Sequence, residues 1–96
     1  MRFRVVYSPR SQRDLEKIRK WIADESGNPT IANRFVEKIF DACDSLMTLP
    51  ERFPAYPRAR HWRLMPYGNY LVFFQIHDGE VRIGHIRHGA RKPFGD

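Results

Sequence analysis

The side chains able to move a proton or grip an anion gather late in this chain: His61, Arg63, His85, His88 and Arg91. Histidine titrates near neutral pH, so two histidines with arginines nearby can run acid–base chemistry if they converge. Arginine alone presents a planar fork of donors suited to phosphate or carboxylate. Both residue types also have structural uses. A histidine before a glycine, such as His88, can fix a turn through its own backbone, and Arg63 can bridge strands or pair with an acid on a helix. The single cysteine, Cys43, cannot form an internal disulfide, and without a second cysteine it cannot ligate zinc as part of a pair. No metal or cofactor is expected.

Charge follows the same asymmetry. The 96 residues hold 17 Lys and Arg against 11 Asp and Glu, a formal net charge of +6. Residues 1–50 are nearly balanced, with nine basic and seven acidic groups. Between Arg52 and Leu71 stand Arg52, Arg58, Arg60, His61 and Arg63 with no acid, and after Gly79 come Arg82, Arg87, Arg91 and Lys92 against Glu80 and Asp96. Such a surface attracts polyanions or an acidic protein. No apolar run approaches the roughly 18 residues of a membrane span, and the apolar part of the N-terminus is too short for a signal peptide. A reducing cytoplasm is the expected compartment.

The elements that position these residues follow from periodicity. Phe3 and Val5 alternate with Arg2 and Arg4 as in a strand with one core face. Ser8-Pro9 ends it, and Ser11 with Asp14 three residues on predicts a helix start. Leu15, Ile18 and Ile22 fall at helical spacing with Trp21 beside them, a residue expected to pack in the core or the helix hairpin. Gly27-Asn28-Pro29 stops this helix. A second helix starts at Thr30 as cap or at Pro29, and carries the stripe Ile31, Phe35, Ile39, Ala42, Leu46 and Leu49. Residues 50–60 contain three prolines and are expected to be a surface loop. Strands are then expected at His61–Met65, Tyr70–His77 and Glu80–His88, with Asp78-Gly79 as a two-residue hairpin turn. The expectation is one α+β domain over residues 1–96, in the order β-α-α-β-β-β, with a helical hairpin packed on one face of an antiparallel twisted sheet.

Two details sharpen this picture. Along Tyr70–His77, Tyr70, Val72, Phe74 and Ile76 share one face, so Leu71 and Phe73 point away from the helices. Either a partner covers them or the chain's own tail or loop does. In the last strand, Val81 and Ile83 share a parity that Ile86 breaks. A bulge at Gly84-His85 would return all three to the core side.

The segment Val81-Arg82-Ile83-Gly84-His85-Ile86-Arg87-His88-Gly89-Ala90-Arg91 resembles the closing strand of the RelE/ParE toxin superfamily, whose ParE branch ends in an alternating Ile/Val strand and then His-Gly-x-Arg. Arg63 to Phe74, with Gly68-Asn69 as its turn, is similar to the family's Arg, turn and apolar strand. Tyr7-Ser8 with Asp14-Leu15, Ile18 and Trp21-Ile22, and the Leu49-Pro50 pair, fit the family as well. The resemblance implies the toxin of a type II toxin–antitoxin pair, neutralised by an acidic, partly disordered antitoxin within a hetero-oligomer.

The superfamily offers two targets. RelE-like members resemble ribosome-dependent messenger-RNA endonucleases, which need a base, an acid and cations at the phosphate. This chain has no lysine between Lys38 and Lys92 and no tyrosine after Tyr70. A ribonuclease site would therefore rest on His61, Arg63, His88 and Arg91. ParE-like members look like DNA gyrase inhibitors and need only a gripping surface. Arg87, His88, Arg91, Lys92 and Phe94 are its candidates, although Lys92-Pro93-Phe94 stands where many ParE-like chains place Asp. The antitoxin is expected at Arg63, Leu71, Phe73 and Arg82. A non-toxic nucleic-acid-binding module using Trp62, Tyr67 and Phe73 is a weaker third possibility.

Overall fold

A serine–proline pair opens the first helix. In the computed structural model, which describes residues 2–89, strand β1 spans Arg4–Tyr7 and helix α1 spans Pro9–Ser26. The cap is Ser8 and not Ser11: the Ser8 Oγ accepts from the Ser11 amide at 2.9 Å, and Pro9 occupies the first turn, where its missing N–H costs nothing. Ser11 is instead buried, and its hydroxyl donates to the Ser8 carbonyl at 2.8 Å. Gly27 closes the helix in the left-handed region, φ 66°. Helix α2, Pro29–Asp44, opens at Pro29 with Asn28 as cap, its Oδ1 accepting from the Thr30 amide at 2.9 Å. Ala32, Val36, Ile39 and Cys43 form its buried stripe, and burial pushes the Cys43 thiol up to about 12. Two 3-10 turns follow, Ser45–Met47 and Pro50–Arg52. They place Leu46 in the core, while Leu49 points to solvent. The apolar stripe thus outruns the helix.

Strands β2 (Ala55–Tyr56), β3 (Ala59–Tyr67), β4 (Tyr70–His77) and β5 (Glu80–His88) complete a five-stranded sheet in the order β1-β5-β4-β3-β2. The sheet is mixed, which corrects the antiparallel expectation. β1 runs parallel to β5, from Arg4 opposite Glu80 to Tyr7 opposite Ile83. Parallel neighbours need a long crossover, and the helical hairpin together with β2, β3 and β4 supplies it. Asp78 and Gly79 both take positive φ, 48° and 74°, the geometry that lets a two-residue turn match strand twist. Part of the expected 50–60 loop is strand: β2 pairs with β3 despite its flanking prolines, and the Pro54 carbonyl accepts from the Leu64 amide at 3.2 Å, a bond that needs no proline N–H.

Both helices pack on one face of this sheet. Leu15, Ile18, Val36, Ile39, Cys43 and Leu46 meet Met65, Val72, Phe74, Val81, Ile83 and Ile86. The other face carries its own small layer. Phe73 is fully buried, stacked on His85 with centroids 4.5 Å apart and 9° between planes. Tyr56 of β2 meets Phe73 edge-on at 5.1 Å, and Trp62 meets His85 edge-on at 5.5 Å. The chain's own loop and strands therefore cover Phe73, which is not presented to a partner; Leu71 beside it is half-buried. Among the described residues no helix is long and apolar enough to cross a membrane.

Candidate functional site

The parity break in the last strand is a bulge. Phe73 pairs with His85 while the next residue, Phe74, pairs with Ile83, so Gly84 is the extra residue. A bulge disturbs the ladder, and side chains of the first helix take up its backbone groups. The Ser8 hydroxyl donates to the Gly84 carbonyl at 2.6 Å, and the Ile86 amide donates to the Asp14 carboxylate at 2.9 Å. The cap of α1 and its second turn are thereby tied to the strand whose end carries the candidate residues. Ile86 is returned to the core, 3% exposed, as its parity requires.

Gly84 is fixed for a second reason. A Cβ there would lie 2.2 Å from the Trp62 ring. Gly84→Ala is therefore expected to destabilise the fold by about 1–3 kcal/mol, because the indole is wedged between the bulge and His85. Urea unfolding checks this. The cost should shrink in a Trp62→Leu background, and an unchanged cost there would show that the indole is not the obstacle.

Beyond the bulge lies an open groove of about 400 Å³ between the middle of α1 and the end of β5. Asp14, Lys17, Ile18 and Trp21 line it from the helix, and Tyr70, Ile86, Arg87 and His88 from the sheet. The His88 ring meets Tyr70 edge-on at 5.2 Å, and the Gly89 amide donates to the Asn69 carbonyl at 2.6 Å, which holds the strand end in place.

The residues singled out in the sequence are dispersed. Arg87 and His88 are neighbours at the end of β5, but His88, opposite Tyr70, faces the helix side and Arg87, opposite Leu71, faces the other side of the sheet. Arg91, Lys92 and Phe94 lie outside the described residues. Arg63 is turned inward, its Nη1 donating to the Phe53 carbonyl at 2.6 Å and to the Glu51 carbonyl at 3.3 Å, so it pins the segment before β2. It sits opposite Phe74, whereas His88 sits opposite Tyr70. Four residues along β4 is roughly 13 Å. His61 is exposed on β3 with its ring 5.8 Å from Trp62. The three described members of the ribonuclease set are thus not brought together as one acid–base group. Arg82 is exposed, and its Nε donates to Glu80 at 3.0 Å; Glu80 also accepts from Arg4, and the two guanidiniums hold its carboxyl below the usual range. His85 is buried, and burial, helped by the charges of Arg10 and Arg87, pushes it down to about 4. It is neutral at neutral pH and is unsuited to act as an acid there.

Sequence reasoning missed the helix side of the groove. Trp21, expected in the core, is 53% exposed. It lies at the margin of the Leu15–Ile18–Ile22 stripe and lines the groove. Asp14, expected as a first-turn acid after a Ser11 cap, lies in the second turn because the cap is Ser8, and its partner is 72 residues away.

Comparison with known proteins agrees with this architecture. Residues 5–93 match the family described as the ParE toxin of the type II toxin–antitoxin system, parDE. The Toxin RelE2 of Caulobacter vibrioides is 36% identical over 87 residues, covering 91% of this chain and 96% of that protein. Two solved structures share the fold. One, from the chromosomal ParDE system of P. aeruginosa, has a TM-score of 0.81 at 17% identity, covering 90% of this chain and 95% of its own. The other, from the RelBE2 toxin–antitoxin complex of Mycobacterium tuberculosis, has a TM-score of 0.62 at 23% identity, covering 92% and 99%. With the family's pattern matched from the first strand to beyond the last, and its fold reproduced, the chain belongs to the ParE toxin family of type II toxin–antitoxin systems, within the RelE/ParE superfamily.

Proposed function

We propose that this toxin acts by gripping DNA gyrase, with no catalytic step of its own, and that a cognate acidic antitoxin neutralises it. The observation that carries this reading is the dispersal of its proton-transfer candidates. Arg63 is engaged by loop carbonyls about 13 Å along the sheet from His88, and the one deeply buried histidine, His85, is held neutral. General acid–base catalysis needs donors and acceptors within hydrogen-bond reach of one reacting centre. A binding toxin needs an anchored edge with charge at its end. Arg87 and His88 supply it on a strand locked by the Gly84 bulge, and Arg91, Lys92 and Phe94 are proposed to extend it. Arg82 and Leu71 remain the proposed antitoxin contacts, with Leu71 directly opposite Arg87 in the strand pair. Both solved neighbours come from toxin–antitoxin systems, which supports an antitoxin partner here.

The test is gyrase supercoiling with the purified, antitoxin-free chain. Supercoiling should stop at micromolar toxin, with cleaved DNA–gyrase complexes accumulating. Normal supercoiling at that concentration overturns the proposal. The 36% identity to a protein named RelE2 makes the ribosome the second target to assay. Ribosome-dependent cutting of a message, abolished in the His88→Ala, Arg91→Ala double variant, would establish an endoribonuclease instead.

A further inference from the structure

The geometry points to the groove between α1 and the end of β5 as the seat of residues 90–96 of this same chain, with Phe94 packed beside Trp21. The inner wall of the groove is apolar, since Ile18, Tyr70 and Ile86 are buried. Trp21 stands over that wall with its indole largely in water. The segment Ala90-Arg91-Lys92-Pro93-Phe94-Gly95-Asp96 lies outside the described residues and holds one large apolar side chain, Phe94.

Direction and charge fit this occupant. Helix α1 and strand β5 run side by side in the same sense: the Ser8 hydroxyl bonds to Gly84, and Asp14, further along, bonds to Ile86. From Asp14 to Trp21 the helix advances about 10 Å, and from Ile86 to Gly89 the strand advances about 10 Å. Gly89, held by the Asn69 carbonyl, therefore comes abreast of Trp21. Beyond that level α1 continues to Ser26 with Asp24 and Glu25 and no basic residue in its last turn. The carbonyl end of a helix favours cations, and Arg91 and Lys92 are the next charges along the chain. With the chain turned back from there along α1, its order complements the helix in reverse: Lys92 meets Asp24 and Glu25, Phe94 meets Trp21, and Asp96 meets Lys17. The spacings agree. Two extended residues span about 6.6 Å, and the helical steps from Asp24 to Trp21 and from Trp21 to Lys17 are about 5 and about 6 Å. The shallower hollow on α2, lined by Ile31, Arg34, Phe35 and Lys38, carries two cations and repels the same segment.

Seated in this way, Phe94 extends the strand end as an anchor. It fixes Arg91 and Lys92 beside the end of β5, so that the cations proposed to grip gyrase are presented from a set position. Only that use of the cations rests on the gripping reading.

The test uses the full chain labelled with 5-fluorotryptophan, whose two indoles, Trp21 and Trp62, give two fluorine resonances. A Trp21→Phe variant assigns them, and Trp62, packed over Gly84 on the opposite face of the sheet, is the internal control. Relaxation by a dissolved paramagnetic agent reads the exposure of each indole. Stopping the chain after Ala90 should shift the Trp21 resonance and raise its relaxation at least twofold, with Trp62 unmoved. Phe94→Ala should do the same, and Phe94→Leu should keep most of the protection. The Asp24→Lys, Glu25→Lys double variant, changed only at exposed positions, should carry Trp21 at least half-way to the shortened chain's value. Equal relaxation of Trp21 in the full and shortened chains overturns the inference. So does protection that survives Phe94→Ala or is untouched by the double variant, protection that follows the chain's own concentration (a second copy's tail in the groove), or a change at Trp62 as large as that at Trp21. Gyrase supercoiling measured on the same samples is a separate reading: a protected Trp21 with unhindered supercoiling would leave the seat in place and overturn the gripping reading alone.

Discussion

Replacing Phe73 by alanine is expected to destabilise the protein by about 3–5 kcal/mol, as large as a truncation under the helices. The residue lies on the sheet face that the helices do not cover, so a two-layer picture would give it little weight. Yet its ring is fully buried, sandwiched against His85 at 4.5 Å and closed by the edge of Tyr56 at 5.1 Å. Aromatic pairs of this kind add to area burial, and removing the central ring leaves Tyr56, Leu64 and His85 around a void that they can only partly fill. Urea unfolding reads the effect as a lower midpoint at unchanged slope. Leu71→Ala, two residues earlier and half-buried, should cost about 1 kcal/mol or less. If Phe73→Ala were as mild as Leu71→Ala and weakened antitoxin binding instead, the small aromatic layer would not be part of the folding core.

That layer also shows where sequence reasoning reached its limit. Parity assigned Phe73 to the far face correctly, but parity cannot say what covers a face. The cover comes from Tyr56, in a proline-flanked stretch that reads as loop, and from Trp62, which had no assigned partner until Gly84 was placed beneath it. The bulge itself was readable, because Val81, Ile83 and Ile86 can share one core only if a residue is looped out, and a glycine stood at the required point. The direction of β1 was not, since alternation of Phe3 and Val5 with arginines is identical for either direction of pairing. The strand end bearing Arg87 and His88 was found through a resemblance carried by local sequence. The groove beside it depends on a helix and a strand separated by most of the chain, and no local pattern records that meeting.

Acidification should loosen the fold well above the pH at which carboxylates titrate, and His85 is the cause. In the unfolded chain a histidine takes up a proton near pH 6.5. In the folded protein His85 resists until about pH 4, because protonation would place a charge in a buried aromatic stack near Arg10 and Arg87. The unfolded state therefore binds more protons across this window, and stability must rise with pH through it. The contribution is complete above about pH 6.5, falls as pH drops, and is lost below pH 4. Between pH 7.5 and 5 the expected loss is about 2 kcal/mol. Urea midpoints measured across that range should fall accordingly. In His85→Phe, which keeps a flat ring against Phe73 and has nothing to protonate, the slope should flatten. Glu80 and Glu16, both held low by neighbouring arginines, contribute their own acid sensitivity only lower in pH, so they do not mimic this signature. A wild-type slope that survives unchanged in His85→Phe would assign the effect to another group. A flat slope in both would mean that the imidazole can reach solvent, and the layer built on Phe73 would then be open.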